Sequence, residues 1–169
     1  MTRKTSTYSR KRSTTGHTYK RNAWLAAVQR CQSFDTPPVA GEEPSANTAD
    51  HIMVKAHTHL DMLMRGQLST GDTETHDYLA HCIGIAQIRT LDIGGPLAND
   101  VMQDLNDAAM ALRRTRDRWE RMGKWGLDGP GLQALPVALD HYETILRASS
   151  PQQMENAQTI RLEQLKAKT

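Results

Sequence analysis

Aromatic residues are scarce in this chain: they make up 5% of its 169 residues, with one Phe. Sandwiches and barrels lean on aromatic and β-branched strand residues, so an all-β fold is disfavoured. No apolar run approaches the length of a membrane span. Cysteine occurs twice, at Cys31 and Cys82, with no CxxC or Cys/His spacing. That pattern fits two reduced thiols in a cytoplasmic protein rather than a disulfide framework or a zinc site. There is no GxSxG elbow for a nucleophilic serine. Gly123, Gly126, Gly129 and Gly131 lack the Lys-Ser/Thr of a phosphate loop and follow no strand, so they fit turn chemistry. No group of residues combines the types and spacing that catalysis needs, so neither an enzyme nor a cofactor is expected.

Acid is missing from one end of the chain. Residues 1–34 contain eight cations (Arg3, Lys4, Arg10, Lys11, Arg12, Lys20, Arg21 and Arg30) and no Asp or Glu. The other 135 residues carry 13 cations and 19 acids, so the formal net charge of +2 is the sum of a basic arm and an acidic body. Between residues 35 and 107 stand twelve acids against Lys55, Arg65 and Arg89. The arm, residues 1–21, is rich in Ser and Thr and nearly free of apolar groups. It cannot bury enough surface to offset its ordering entropy, so disorder in isolation is expected. It has no apolar h-region and is therefore no secretory signal. Three readings fit it: a nucleic-acid arm that gains by releasing counterions from phosphates, a solvated tail, or an organellar transit peptide. Residues 22–47 follow as a short helix, with Trp24, Leu25, Val28 and Cys31 at helical spacing, and then a proline-rich linker.

From Thr48 onward the periodicity is helical, and no alternating strand pattern occurs. Ile52, Ala56, Leu60 and Leu63 define a first helix over about 49–65. Leu79, Cys82, Ile83 and Ala86 define a second, capped by Asp72 or Thr73 and stopped by Gly94-Gly95-Pro96. Val101, Leu105, Ala108, Leu112, Thr115, Trp119 and Met122 define a third over 97–122. Asp128 is placed to cap a fourth, with Leu132, Leu135, Leu139, Tyr142 and Leu146 inward and Pro136 expected to kink or delay it. Ser150, Pro151 and Gln153 spell a capping box for a fifth, whose stripe is Met154, Ala157, Ile160 and Leu165. The predicted fold is all-α: a small bundle of four to five helices at 48–169, behind the basic arm.

His57-Thr58-His59-Leu60-Asp61 spells the HxHxD of metal-dependent hydrolases. On a helix, residues two apart point about 200° away from each other, so these histidines cannot share a metal, and none is expected. His76 and His81 are expected at the surface beside acids. The densest cluster is RRTRDRWER at the end of the third helix. At about 100° per residue, Arg114, Arg118 and Arg121 lie opposite the apolar stripe, with Arg113 and Lys124 beside them. Cations at a helix C-terminus suit the macrodipole, and Asp117 and Glu120 offer i,i+4 partners to Arg113, Arg121 or Lys124. That face is expected to be a solvated helix end, a phosphate-contacting surface or a docking face for an acidic protein.

The segments TRKT, THLDMLMRGQLST and GKWGLDGPGLQAL…ALDHYETIL resemble a group of small helical proteins of beta-proteobacterial genomes and mobile elements, commonly called Fis-family transcriptional regulators. The resemblance spans about 48–150 and implies a DNA-binding regulator. The stretch 150–169 shows no glycine-containing turn between two apolar-patterned helices, so no recognition helix is expected there. Two functions follow. One is a regulator or accessory protein that grips DNA backbone through Arg3, Lys4, Arg10, Lys11, Arg12, Lys20 and Arg21, with Arg114, Arg118 and Arg121 as a second contact. The other is a protein-interaction adaptor or inhibitor from a mobile element, whose acidic helices meet a basic partner or whose third helix pairs in a homodimer.

Overall fold

A computed structural model describes residues 46–167, apart from Thr70 and Asp72. The basic arm, the short helix expected around Trp24 and the proline-rich stretch up to residue 45 lie outside the described residues. Within them the chain forms five helices and no strand: α1 (Ala46–Met64), α2 (Glu74–Ile93), α3 (Pro96–Met122), α4 (Gly129–Ala148) and α5 (Pro151–Lys166). Among the described residues, no helix is long and apolar enough to cross a membrane.

The helix ends follow local chemistry. Residues 62–67 close α1 in a Schellman motif: Gln67 N–H donates to the Met62 carbonyl at 3.1 Å and Gly66 N–H to that of Leu63 at 3.2 Å. Gly66 takes the left-handed φ of 63° that this motif requires of its C′ residue. Asp128 caps α4 by accepting from Gly131 N–H at 2.8 Å. Ser150 and Gln153 form the full capping box of α5. Thr73 precedes α2 without capping it through its side chain. Pro136 neither delays nor ends α4, which runs unbroken from Gly129. Proline removes one donor, so the Leu132 carbonyl loses its helical partner, and Leu132 stands 40% exposed where water can serve instead.

The centre of the bundle is α2, which packs against all four other helices, while α1 and α3 also pack on α4. Its sequence explains this. Beside the stripe of Leu79, Cys82, Ile83 and Ala86, the residues Ile85, Ile88 and Thr90 are also buried, so the helix is apolar on nearly every side. Leu60 and Leu63 of α1, Leu105 and Leu112 of α3, and Leu135, Leu139 and Ile145 of α4 fill the rest of the core.

Three expected stripes run further in the sequence than in the fold. Met122 is 64% exposed in the last turn of α3, just before Gly123 ends the helix in the left-handed conformation. Leu132 lies in the first turn of α4 and is 40% exposed, since it is the neighbouring Gly131 that faces Ala111 of α3. Ile160 and Leu165 are exposed because α5 buries only Met154 and Ala157 of its apolar residues, and beyond them it is Arg161 that reaches α2.

Candidate nucleic-acid interface

The second half of α3 carries Arg113, Arg114, Arg116, Arg118 and Arg121, followed by Lys124. Thr115 points inward and is fully buried, its hydroxyl donating to the Ala111 carbonyl at 2.9 Å. The remaining positions of these turns therefore face outward or sideways. Three of the arginines turn back onto the protein. Arg114 reaches the capping carboxylate of α4, with Nε 2.6 Å from Asp128 Oδ2. The Arg114 hydrogen bond holds the Asp128 carboxyl below its ordinary pKa, and the same bond raises that of Arg114. Arg116 spans from Asp77 on α2 (3.2 Å) to Glu120 one turn along its own helix (3.3 Å). Arg118 donates to the Gly126 carbonyl at 3.1 Å and is half-buried.

Arg121 bonds the backbone carbonyl of Asp117, so its guanidinium stays at the surface. Arg113 and Lys124 are exposed beside it. The i,i+4 pair that forms is Arg116–Glu120 rather than any expected from Arg113, Arg121 or Lys124, because Arg116 lies between two carboxylates. The arginine cluster is thus half brace and half exposed cation. Arg3, Lys4, Arg10, Lys11, Arg12, Lys20 and Arg21 lie outside the described residues.

What the arginines brace is an aromatic wedge. Trp125, in the connection between α3 and α4, is 7% exposed. It stacks on Trp119 with ring centroids 4.9 Å apart and planes 10° from parallel, and on His76 at 5.5 Å. His76 is buried, contrary to its expected place at the surface. Its Nε2 lies 3.1 Å from the Leu112 carbonyl and its Nδ1 3.0 Å from Asp77 Oδ1. A carbonyl only accepts, so Nε2 carries the hydrogen of the first bond. His76 therefore ties α2 to α3 under the Trp125 ring. The sequence reading misses both residues: Trp125 lies in a glycine-rich turn, and His76, three residues before Leu79 and seven before Ile83 on the buried face, is polar. The signal that could have found Trp125 is its bulk: an indole beside three glycines has to be buried against something.

His59 and His141 also serve packing. His59 Nδ1 is hydrogen-bonded to the Thr75 hydroxyl at 2.9 Å and its ring lies against Tyr78, while His57 is exposed. Among the described residues no group of three His, Cys, Asp or Glu side chains could hold a metal ion. His81 is half-buried rather than a plain surface residue, and burial lowers its pKa, with the Arg161 charge adding to the effect. His141 is buried on α4, with Nε2 3.1 Å from Asp104 Oδ2 on α3. The Cys82 thiol lies in the core against the Tyr78 and Tyr142 phenols, and burial pushes it up to about 11. A thiol held protonated is a poor nucleophile.

No family model, curated protein or solved structure matches the chain.

Proposed function

We propose that the protein is a nucleic-acid-binding accessory factor in transcriptional control that grips the phosphate backbone chiefly through its basic arm. The observation that carries this reading is the partition of charge. Eight cations and no acid occupy residues 1–34, while residues 46–169 hold 13 cations against 16 acids. A body of that sign repels DNA over most of its surface, so the arm supplies the attraction. On the body, Arg121, Arg113 and Lys124 form the exposed cationic end of α3 and offer a second, smaller contact. Arg114 and Arg118, already bonded to Asp128 and Gly126, position the α3–α4 connection beside it. The resemblance of residues 48–150 to Fis-family regulators points in the same direction. Contacts of this kind read backbone rather than bases, so affinity is salt-sensitive and weakly sequence-dependent.

A gel shift tests the reading with full-length protein and protein lacking residues 1–21, each at two salt concentrations. The expected result is strong binding at low salt that weakens sharply at the higher one and is lost with the arm. Salt-independent affinity, or full affinity without the arm, overturns it.

A protein-interaction module is the second reading, and α5 favours it. Beyond Ala157 this helix exposes Ile160 (41%) and Leu162 (51%), large apolar side chains in a helix packed mainly on α2. A dimer in size-exclusion chromatography that dissociates with Ile160→Ser and Leu162→Ser, and does not bind DNA, would establish this reading in place of the first.

A further inference from the structure

The first half of α3 is the reverse of the second. Asp100, Asp104 and Asp107 recur at i, i+4 and i+7, on one face of the helix. From Asp104 onward that face forms one wall of an open groove of about 270 Å³ between α3 and α4, with Asp100 one turn beyond the lining. Asp104 and Asp107 line its rim, and Met110, Pro130, Ala134 and Val137 give it an apolar floor. Met110 is 52% exposed there. Arg114 closes one end, but its charge is matched by Asp128, outside the groove lining. Asp104 already holds His141, and Asp107 accepts from Gln103 at 3.0 Å, so both carboxylates are fixed in place. An apolar floor beneath a fixed acidic rim fits a long cationic side chain: its methylene stem lies on Met110 and Val137 and its charged head meets the carboxylates.

We propose that the occupant of this face is the protein's own basic arm, residues 1–21. Two observations select it over other cationic partners. Charge is complementary, with seven cations and no acid in the arm opposite three carboxylates in two helical turns. Reach is ample: the 25 residues from Arg21 to Ala46 span up to about 80 Å when extended. The whole of α3 is about 40 Å long, so the arm can lie on the groove from any entry angle. Tethering gives the arm a local concentration that a free partner lacks. The consequence rests on the phosphate-binding reading: the acidic face competes with nucleic acid for the same cations, and the docked arm is an autoinhibitory contact.

The test uses full-length protein, alone and as the Asp100→Asn, Asp107→Asn variant, which leaves the Asp104–His141 contact intact. Zero-length carbodiimide coupling joins lysine amines to carboxylates in contact, and mass spectrometry locates the links. Links from Lys4, Lys11 and Lys20 are expected to concentrate on Asp100, Asp104 and Asp107, above those to Asp50, Asp61 or Glu155. Raised salt should abolish them. Links spread evenly over the exposed carboxylates overturn the proposal, as do links that join two isotopically distinct molecules. The variant should bind a DNA duplex about 5-fold or more tightly than the parent protein, the range of an ordinary coupling between sites. Equal affinity overturns the autoinhibitory role. Concentrated links without DNA binding by either protein leave the docking standing and overturn the phosphate-binding reading instead.

Discussion

At the scale of single residues, Asp128 does two jobs that substitution can separate. It caps α4 through Gly131 N–H and pairs with Arg114 across the α3–α4 connection. Asn caps a helix about as well as Asp but cannot form the ion pair. Asp128→Asn should therefore cost only the exposed pair, about 0.2–1 kcal/mol. Asp128→Ala should cost the cap as well, about 0.5–2 kcal/mol more. Urea unfolding of the two variants beside the parent measures both. The carboxyl is depressed in the folded state, so its contribution is present at neutral pH and fades as pH falls below the ordinary aspartate range. The difference between parent and Asp128→Asn should thus vanish in acid.

The Cys82 cluster gives the opposite sign. Burial raises the thiol from 9.0 to about 11, the Tyr78 phenol from 10.0 to about 12, and the Tyr142 phenol further still. Groups raised in the folded state leave stability intact below their unfolded values and remove it as pH rises through the folded ones. The urea midpoint should hold up to about pH 9 and fall steeply above it. In a Cys31→Ser background, Cys82 should react with a thiol reagent only as fast as the protein unfolds. Rapid labelling of the native protein would contradict the buried placement.

At the scale of elements, α5 adds one close approach to the seating of Met154 and Ala157. Arg161 lies directly over Gly84 of α2, with Nε, Cζ and Cδ where a β-carbon would stand, and it donates from Nη2 to the Ala80 carbonyl at 3.2 Å. Its Nε is buried with no hydrogen-bond partner among the described residues. Gly→Ala inside a helix ordinarily stabilises by about 0.5–1 kcal/mol. Here it should instead evict the guanidinium and loosen α5. Hydrogen exchange of Gly84→Ala should show lost protection across 151–166 while α2, α3 and α4 keep theirs. Retained protection in α5 with a higher melting temperature would contradict this packing.

The elements are also the most legible part of the sequence. Periodicity places α3 to within one residue at its start, because seven positions stepping by threes and fours leave little choice. The caps at Asp128 and Ser150 are readable because capping is local chemistry. The central place of α2 is not, since a single stripe is the expectation for a helix that is in fact buried on nearly every side. The ends of stripes are also hidden, at Met122, Leu132 and Ile160. Periodicity shows which face is apolar but not how far the neighbouring helix extends. Among the arginines, the exposed place of Arg121 is legible from angle alone. The bonds of Arg114 to Asp128 and Arg118 to Gly126 are not, because their partners come from a turn whose path no periodicity describes.

At the scale of the whole molecule, the five helices carry fewer cations than acids, so the proposed attraction for phosphate rests on the arm. Arg121, Arg113 and Lys124 make a small cationic end on a body whose charges otherwise sum negative. The Arg113→Gln, Arg121→Gln, Lys124→Gln variant should lose affinity modestly and keep most of its salt dependence. The most direct measurement of the central claim is the slope of log affinity against log salt for a fluorescent DNA duplex. It compares the parent protein with a variant in which Arg3, Lys4, Arg10, Lys11 and Arg12 are all Gln. Each phosphate that the variant no longer neutralises lowers the slope by about 0.9. If the arm holds the phosphates, the slope falls by several such steps and affinity falls with it. An unchanged slope would show that the arm does not hold them and would contradict the proposed function.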